Sequence, residues 1–184
     1  MKKFLIASDI HGSAFWCEKL LNAFEKEQAD RLLLLGDLLY HGPRNPLPDG
    51  YAPKAVFEML NAIKNKLSCV RGNCDSEVDQ MVLDFPILAD YALVNENDRT
   101  VFLTHGHLYN ADVPPALQSG DLLLNGHFHT PEVKRLSGGV VYANCGSVAL
   151  PKDGTPHSYL LLENGELIWK DLQTGERFFP NLEK

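Results

Sequence analysis

The chain has 184 residues and sets 17 Lys and Arg against 24 Asp and Glu, a formal net charge of −7 with His neutral. That balance argues against a broad basic surface for nucleic acid. It leaves room for a small anionic substrate if bound metal ions supply local positive charge. Hydrophobic content of 45% and charged content of 22% are ordinary for a globular protein, and no apolar stretch is long enough to span a membrane.

The length suits one domain with a sizeable core, read as residues 1–184. Cys17, Cys69, Cys74 and Cys145 form no C-x-x-C pair and no compact framework, which predicts reduced thiols. The short apolar stretch after Lys2 and Lys3 is interrupted at Asp9 and His11, unlike a secretory signal. The expected location is the cytoplasm. Edge strands and the acidic balance are compatible with a monomer or a symmetric homo-oligomer.

In chain order, Phe4 to Ser8 reads as a strand buried on both faces. Phe15 to Phe24 carries apolar residues at helical spacing, and Leu32 to Leu35 is a second strand. Gly42 to Gly50 is rich in Pro and Gly and reads as a long excursion loop. Ala55 to Ile63 is a second helix, followed by a short strand around Cys69 and Val70. This β-α-β-α-β start predicts a parallel sheet.

Strand-like runs then follow with little helix between them. They are Tyr91 to Glu96, Val101 to Thr104, Leu122 to Leu124, Gly139 to Ala143, Ser158 to Leu162 and Leu167 to Asp171. Asn164-Gly165 joins the last two as a hairpin. A parallel-rich half and an antiparallel-rich half predict an α/β fold of two mixed β-sheets, packed as a sandwich flanked by helices.

Polar clusters follow five of the apolar runs. They are Asp9 and His11; Gly36 and Asp37; Arg71-Gly72-Asn73-Cys74-Asp75; His105-Gly106-His107; and Asn125-Gly126-His127-Phe128-His129. In open α/β sheets, ligand sites gather outside the carboxyl ends of strands, so the five clusters can meet. Asp offers hard oxygen and His offers imidazole nitrogen to Zn, Mn, Fe, Co or Ni. A carboxylate such as Asp37 has two oxygens and can bridge two ions. An ion pair about 3.5–4 Å apart clamps both oxygens of a displacement, and a bound water falls to a pKa of about 7. Singly, each cluster has an ordinary reading as a turn, a cap or a loop. Five of the seven His fall in them, which makes five independent ordinary readings improbable. His41 and His157 lie outside the pattern, with His41 the better placed to reach the site from the excursion loop.

These residues resemble the signature of the calcineurin-like metallophosphoesterase superfamily: D-x-H, G-D, G-N-H-[DE], H and G-H-x-H. Here the pieces are Asp9-Ile10-His11, Gly36-Asp37, Gly72-Asn73-Cys74-Asp75, His105 and Gly126-His127-Phe128-His129, spanning about two thirds of the chain. The resemblance implies two mixed sheets flanked by helices and two divalent metal ions. Asp9, His11 and His129 would hold the first ion, Asn73, His105 and His127 the second, and Asp37 would bridge them. Mn is the first choice, with Ni, Co, Zn or Fe as alternatives. His107 is then an outer-sphere residue, and Arg44 can reach a phosphate oxygen.

The departure is Cys74, where the family has a His that pairs with the following acid, here Asp75, and protonates the leaving oxygen. A thiol hydrogen-bonds weakly and has a reference pKa near ~8.5. The implied activity is therefore hydrolysis of small phosphodiesters with good leaving groups, with Cys74 and Asp75 in the catalytic positions. The alternatives are a phosphomonoesterase and a non-catalytic metal-binding module of the same fold.

Overall fold

β1 (Lys3–Ala7) alternates its side chains between two apolar layers. Leu5 and Ala7 join one buried cluster, and Phe4 and Ile6 join another. A run that is apolar at successive positions requires this burial on both faces. The computed structural model describes residues 2–180, and β1 lies inside its first sheet. That sheet has the order β11-β10-β9-β1-β2-β3. β1, β2 (Arg31–Leu34) and β3 (Leu67–Cys69) run parallel, whereas β9 (Ser158–Glu163), β10 (Glu166–Asp171) and β11 (Arg177–Phe178) add antiparallel.

The parallel strands are linked by α1 (Ala14–Glu27) and α2 (Pro53–Ala62). Ser13 caps α1 by accepting from the Trp16 N–H, and α2 begins on Pro53, whose missing N–H is an orphan donor at that position anyway. Trp16, Cys17, Leu20 and Phe24 of α1 and Val56 and Leu60 of α2 pack on the Leu5, Leu32 and Leu34 side of the sheet. Each fully buried Leu there contributes about 2 kcal/mol.

The second sheet has the order β4-β5-β6-β8-β7, from β4 (Tyr91–Glu96), β5 (Arg99–Thr104), β6 (Leu122–Asn125), β7 (Glu132–Arg135) and β8 (Val141–Asn144). Leu103, Leu122, Leu124 and Ala143 meet Phe4, Ile6, Leu33 and Leu35 between the sheets. The Trp169 indole N–H crosses this layer to the Asn144 carbonyl at 2.8 Å.

The expected division of the chain into a parallel half and an antiparallel half is corrected. The C-terminal hairpin returns to pair with β1, and β5, β6 and β8 are parallel neighbours. Their crossovers are made by loops and by the edge strand β7, so the absence of helical periodicity does not signal antiparallel pairing here. α1 and α2 cover only the first sheet's outer face. The second sheet's outer face, with Phe102, Leu123 and Tyr142, is covered by Tyr109, Ala111 and Leu117 from the β5–β6 loop. The hairpin forms as expected, with Asn164 and Gly165 both at positive φ, the backbone a two-residue turn of twisted strands needs.

Candidate metal centre

The carboxyl ends of β1, β2 and β3 in one sheet and of β5 and β6 in the other point to the same place. Chain continuity explains why the chemistry-bearing residues stand there. Each strand ends in a sharp turn that aims short polar side chains inward. Asp9, His11, Asp37, His127 and His129 all have left-handed backbones, with φ of 61°, 48°, 56°, 64° and 64°. Such a conformation costs on the order of 1 kcal/mol for a residue with a Cβ. The surrounding hydrogen bonds hold it: His11 N–H donates to the Asp37 carbonyl, Asp9 N–H to the Gly36 carbonyl, and His127 N–H to Asp9 Oδ2 at 3.0 Å.

Two glycines make the approach of the loops sterically possible. A Cβ on Gly72 would strike Asp37, and one on Gly126 would strike Ser8 and Asp9. Gly72 thus lets the β2 and β3 loops of the first sheet approach each other, and Gly126 lets the second sheet approach the β1 loop.

Three histidines share one design. The Nδ1 of His11 lies 2.8 Å from the Tyr40 carbonyl, that of His105 2.7 Å from the Leu35 carbonyl, and that of His129 2.6 Å from the Leu150 carbonyl. A carbonyl can only accept, so each Nδ1 carries the proton and each Nε2 is left facing the carboxylates. His11 Nε2 and His129 Nε2 are 3.4 Å apart and lie 3.4 Å and 3.2 Å from Asp9 Oδ1. Asp37 Oδ2 lies 3.7 Å from His11 Nε2 and 3.4 Å from His105 Nε2, so it faces one histidine of each group. The His105 Nε2 also stands 3.1 Å from Asn73 Oδ1.

The donor set fits divalent cations. Lone pairs and carboxylate oxygens converge in a buried space, and Asp9 Oδ1 has no hydrogen-bond partner there. Asp9, His11 and His129 have ligand atoms close enough to hold one ion, and so do Asp9, Asp37 and His105. Without an ion, protons meet the same demand for positive charge. Burial pushes the Asp9 carboxyl up, but the imidazoles of His11, His129 and His105 bring it well below the usual range. Burial likewise opposes the charge on His105, but Asp37 and Asp9 raise its pKa to about 9. His127 stands further out, with its ring centroid 5.0 Å from that of His105. Burial and the charge on His105 lower its pKa to about 4, so it is neutral and able to donate a lone pair at pH 7.

The remaining sequence candidates separate. Arg44 lines a cavity of about 360 Å³ over the centre, together with Asp37, Asn73, Cys74, His127 and His129. Cys74 N–H donates to Asp37 Oδ1 at 2.8 Å, and its thiol is pushed up by burial and by the Asp37 carboxylate. It stays a neutral thiol at pH 7 and is a poor nucleophile and a poor acid.

Asp75, expected beside Cys74 in the catalytic positions, is held by backbone amides. Its carboxylate accepts the backbone N–H groups of Asp37, Leu38 and Gly72 at 2.8, 2.9 and 2.7 Å. Asp75 thus pins the β3 loop to the β2 loop and positions Asp37. Burial, together with the Asp37 charge, raises its pKa to about 6. His107 packs 5.5 Å from His105 and 6.2 Å from His127 by ring centroids, outside the carboxylate cluster.

His41 packs edge-on against Tyr40 and Tyr51, and His157 stacks on Trp16; neither enters a metal-holding group among the described residues. Lys152 lines the cavity and was not anticipated. Its backbone N–H donates to the His129 carbonyl at 3.2 Å, which brings a β8–β9 loop residue to a site built by earlier strands.

A two-sheet fold with this centre at its strand ends defines a phosphoesterase. Residues 1–166 match the calcineurin-like phosphoesterase superfamily domain, and the chain belongs to that superfamily. It is a hydrolase of phosphate esters. The chain is 50% identical over 167 residues to Phosphodiesterase YfcE of Escherichia coli strain K12, covering 91% of this chain and 90% of that one. It superposes on the solved structure of YfcE, a phosphoesterase from E. coli, with a TM-score of 0.93 and 46% identity, covering 96% and 97% of the two chains. Vps29 from Entamoeba histolytica, solved with zinc, shares the fold at 19% identity and a TM-score of 0.62, covering 96% of each chain.

Proposed function

We propose that this chain hydrolyses small phosphodiesters with good leaving groups at a pair of divalent metal ions, manganese being the first choice. Asp9, His11 and His129 would hold one ion, Asn73, His105 and His127 would hold the other, and Asp37 would stand between them. The carrying observation is the placement of Asp37 Oδ2 between His11 Nε2 and His105 Nε2, while each of those rings is fixed through Nδ1 by a backbone carbonyl. Ions bound there would supply Lewis acidity and a water of lowered pKa at neutral pH.

The chain's own residues orient and select. Arg44 and Lys152 on the cavity wall can meet non-bridging phosphate oxygens. Cys74 occupies the position from which a leaving oxygen would be protonated, and a neutral thiol with a raised pKa transfers that proton poorly. Activity therefore favours leaving groups that depart as stable anions, such as aryl oxides. No helix among the described residues is long and apolar enough to cross a membrane. Four free cysteines fit a reducing compartment, which supports the cytoplasm.

The test is an assay of metal-stripped protein on bis-p-nitrophenyl phosphate and p-nitrophenyl phosphate, with Mn, Ni, Co, Zn and Mg restored singly. Manganese-dependent diester cleavage that exceeds monoester cleavage is expected. Stoichiometric metal binding with no turnover of either ester would overturn the reading.

A further inference from the structure

Phe128 stands between the two histidines of Gly126-His127-Phe128-His129. Both neighbours are turned inward at φ 64°, and each is tied down: His127 N–H to Asp9 Oδ2 and His129 Nδ1 to the Leu150 carbonyl. Phe128 N–H closes a tight turn onto the Gly126 carbonyl at 2.7 Å. The intervening side chain is thereby held outward; Phe128 is 43% exposed, with its ring edge-on to His127 at 5.1 Å.

Single apolar side chains on a surface are normal and need no role. This one differs in two respects. Among the described residues it is the one large apolar side chain lining the cavity of about 360 Å³ over the metal centre. The same ring also walls a neighbouring cavity of about 130 Å³, lined further by Asn110, Ala111, Asp112, Glu132, Lys134 and Tyr142. Phe128, on a backbone fixed beside the metal centre, therefore borders both cavities. Rigid presentation lowers the ordering cost of binding.

We infer that Phe128 is a specificity-determining residue: it forms a stacking platform for a flat aromatic ring carried by one ester substituent of the substrate. This rests on the phosphodiesterase reading above. The phosphoryl group lies over the metal centre between Arg44 and Lys152, and the aromatic substituent extends over Phe128 toward the smaller cavity. The substrate class is then phosphodiesters with an aromatic substituent, in preference to purely alkyl ones.

The experiment compares calorimetric binding of phenylphosphonate and methylphosphonate, which cannot be hydrolysed, to manganese-loaded wild type, Phe128→Leu and Phe128→Trp. An aromatic stacking contact corresponds to a preference of about tenfold for the phenyl ligand in wild type. That preference should persist in Phe128→Trp and vanish in Phe128→Leu, whose side chain fills space without a π-face. Absence of the preference in wild type, or its survival in Phe128→Leu, would overturn the inference. Turnover of bis-p-nitrophenyl phosphate by the wild-type sample is measured in parallel. If wild type binds both phosphonates without preference yet cleaves the diester, only the platform fails. If no metal restores cleavage, the phosphodiesterase reading fails.

Discussion

The two halves of the metal centre are built differently. Asp9, His11 and His129 are at most 3% exposed, and all three have left-handed backbones locked by hydrogen bonds. In the other half only His105 is buried, while Asn73 is exposed and His127 lines the open cavity. The first half is part of the core and is organised together with it. The second half sits at the mouth of the cavity. Asp37 belongs to both, because its two oxygens face Cys74 N–H on one side and His11 and His105 on the other.

Substitutions can break this contrast. The largest effect is expected at the shared residue. Asp37→Ala should lower diester turnover by more than about 10³-fold, beyond the loss of one electrostatic stabiliser. Retention of a tenth of wild-type turnover would show that the halves work separately.

A gain is expected at the mouth. Cys74→His introduces a proton donor of suitable pKa, and general acid catalysis is worth about 10²–10⁴-fold. Turnover of a diester with an alkoxide leaving group should rise by at least about tenfold, read against bis-p-nitrophenyl phosphate as reference. Equal or lower alkyl-ester activity would count against the assigned role of position 74.

The contrast also predicts stability. His129→Ala deletes a buried ring and its bond to the Leu150 carbonyl, and should cost about 2 kcal/mol in the metal-free protein. Asn73→Ala, at an exposed position, should stay within about 0.5 kcal/mol. Thermal melts in chelator compare the two; equal losses would erase the distinction between a core half and a mouth half.

A control lies away from the site. Glu27 joins α1 to the first sheet through Lys170, Lys3 and Tyr159 at 2.6, 3.0 and 2.9 Å. Burial pushes its carboxyl up, but these three partners bring it below its ordinary 4.5. Its stabilisation is therefore present above about pH 4.5 and is lost as pH falls through the lower folded value. Glu27→Gln should cost about 1 kcal/mol at pH 7 and progressively less in acid, without changing metal content. A pH-independent deficit in urea titrations would contradict this.

Much of the candidate centre could be read before the structure, because Asp and His are conspicuous when they follow buried apolar runs. Residues whose role depends on long-range backbone geometry could not. Asp75 follows Cys74 in sequence and invites pairing with it, yet it accepts amides from a loop 37 and 38 positions away. Lys152 lies in a Pro-Lys-Asp-Gly turn with no neighbouring chemistry to mark it. In the fold, β7 carries no strand signal in the sequence because Glu132, Lys134 and Arg135 surround a single apolar Val133, as suits an edge strand. The parallel pairing of β5, β6 and β8 was hidden because no helix announces its crossovers.

The most direct test of the bridged centre is calorimetric titration of metal-free protein with manganese, with diester turnover followed at each addition. Two ions per chain should bind, activity should appear with the second, and Asp37→Ala should fail to bind the pair. Full activity at one ion per chain, or two ions bound unchanged in Asp37→Ala, would contradict it.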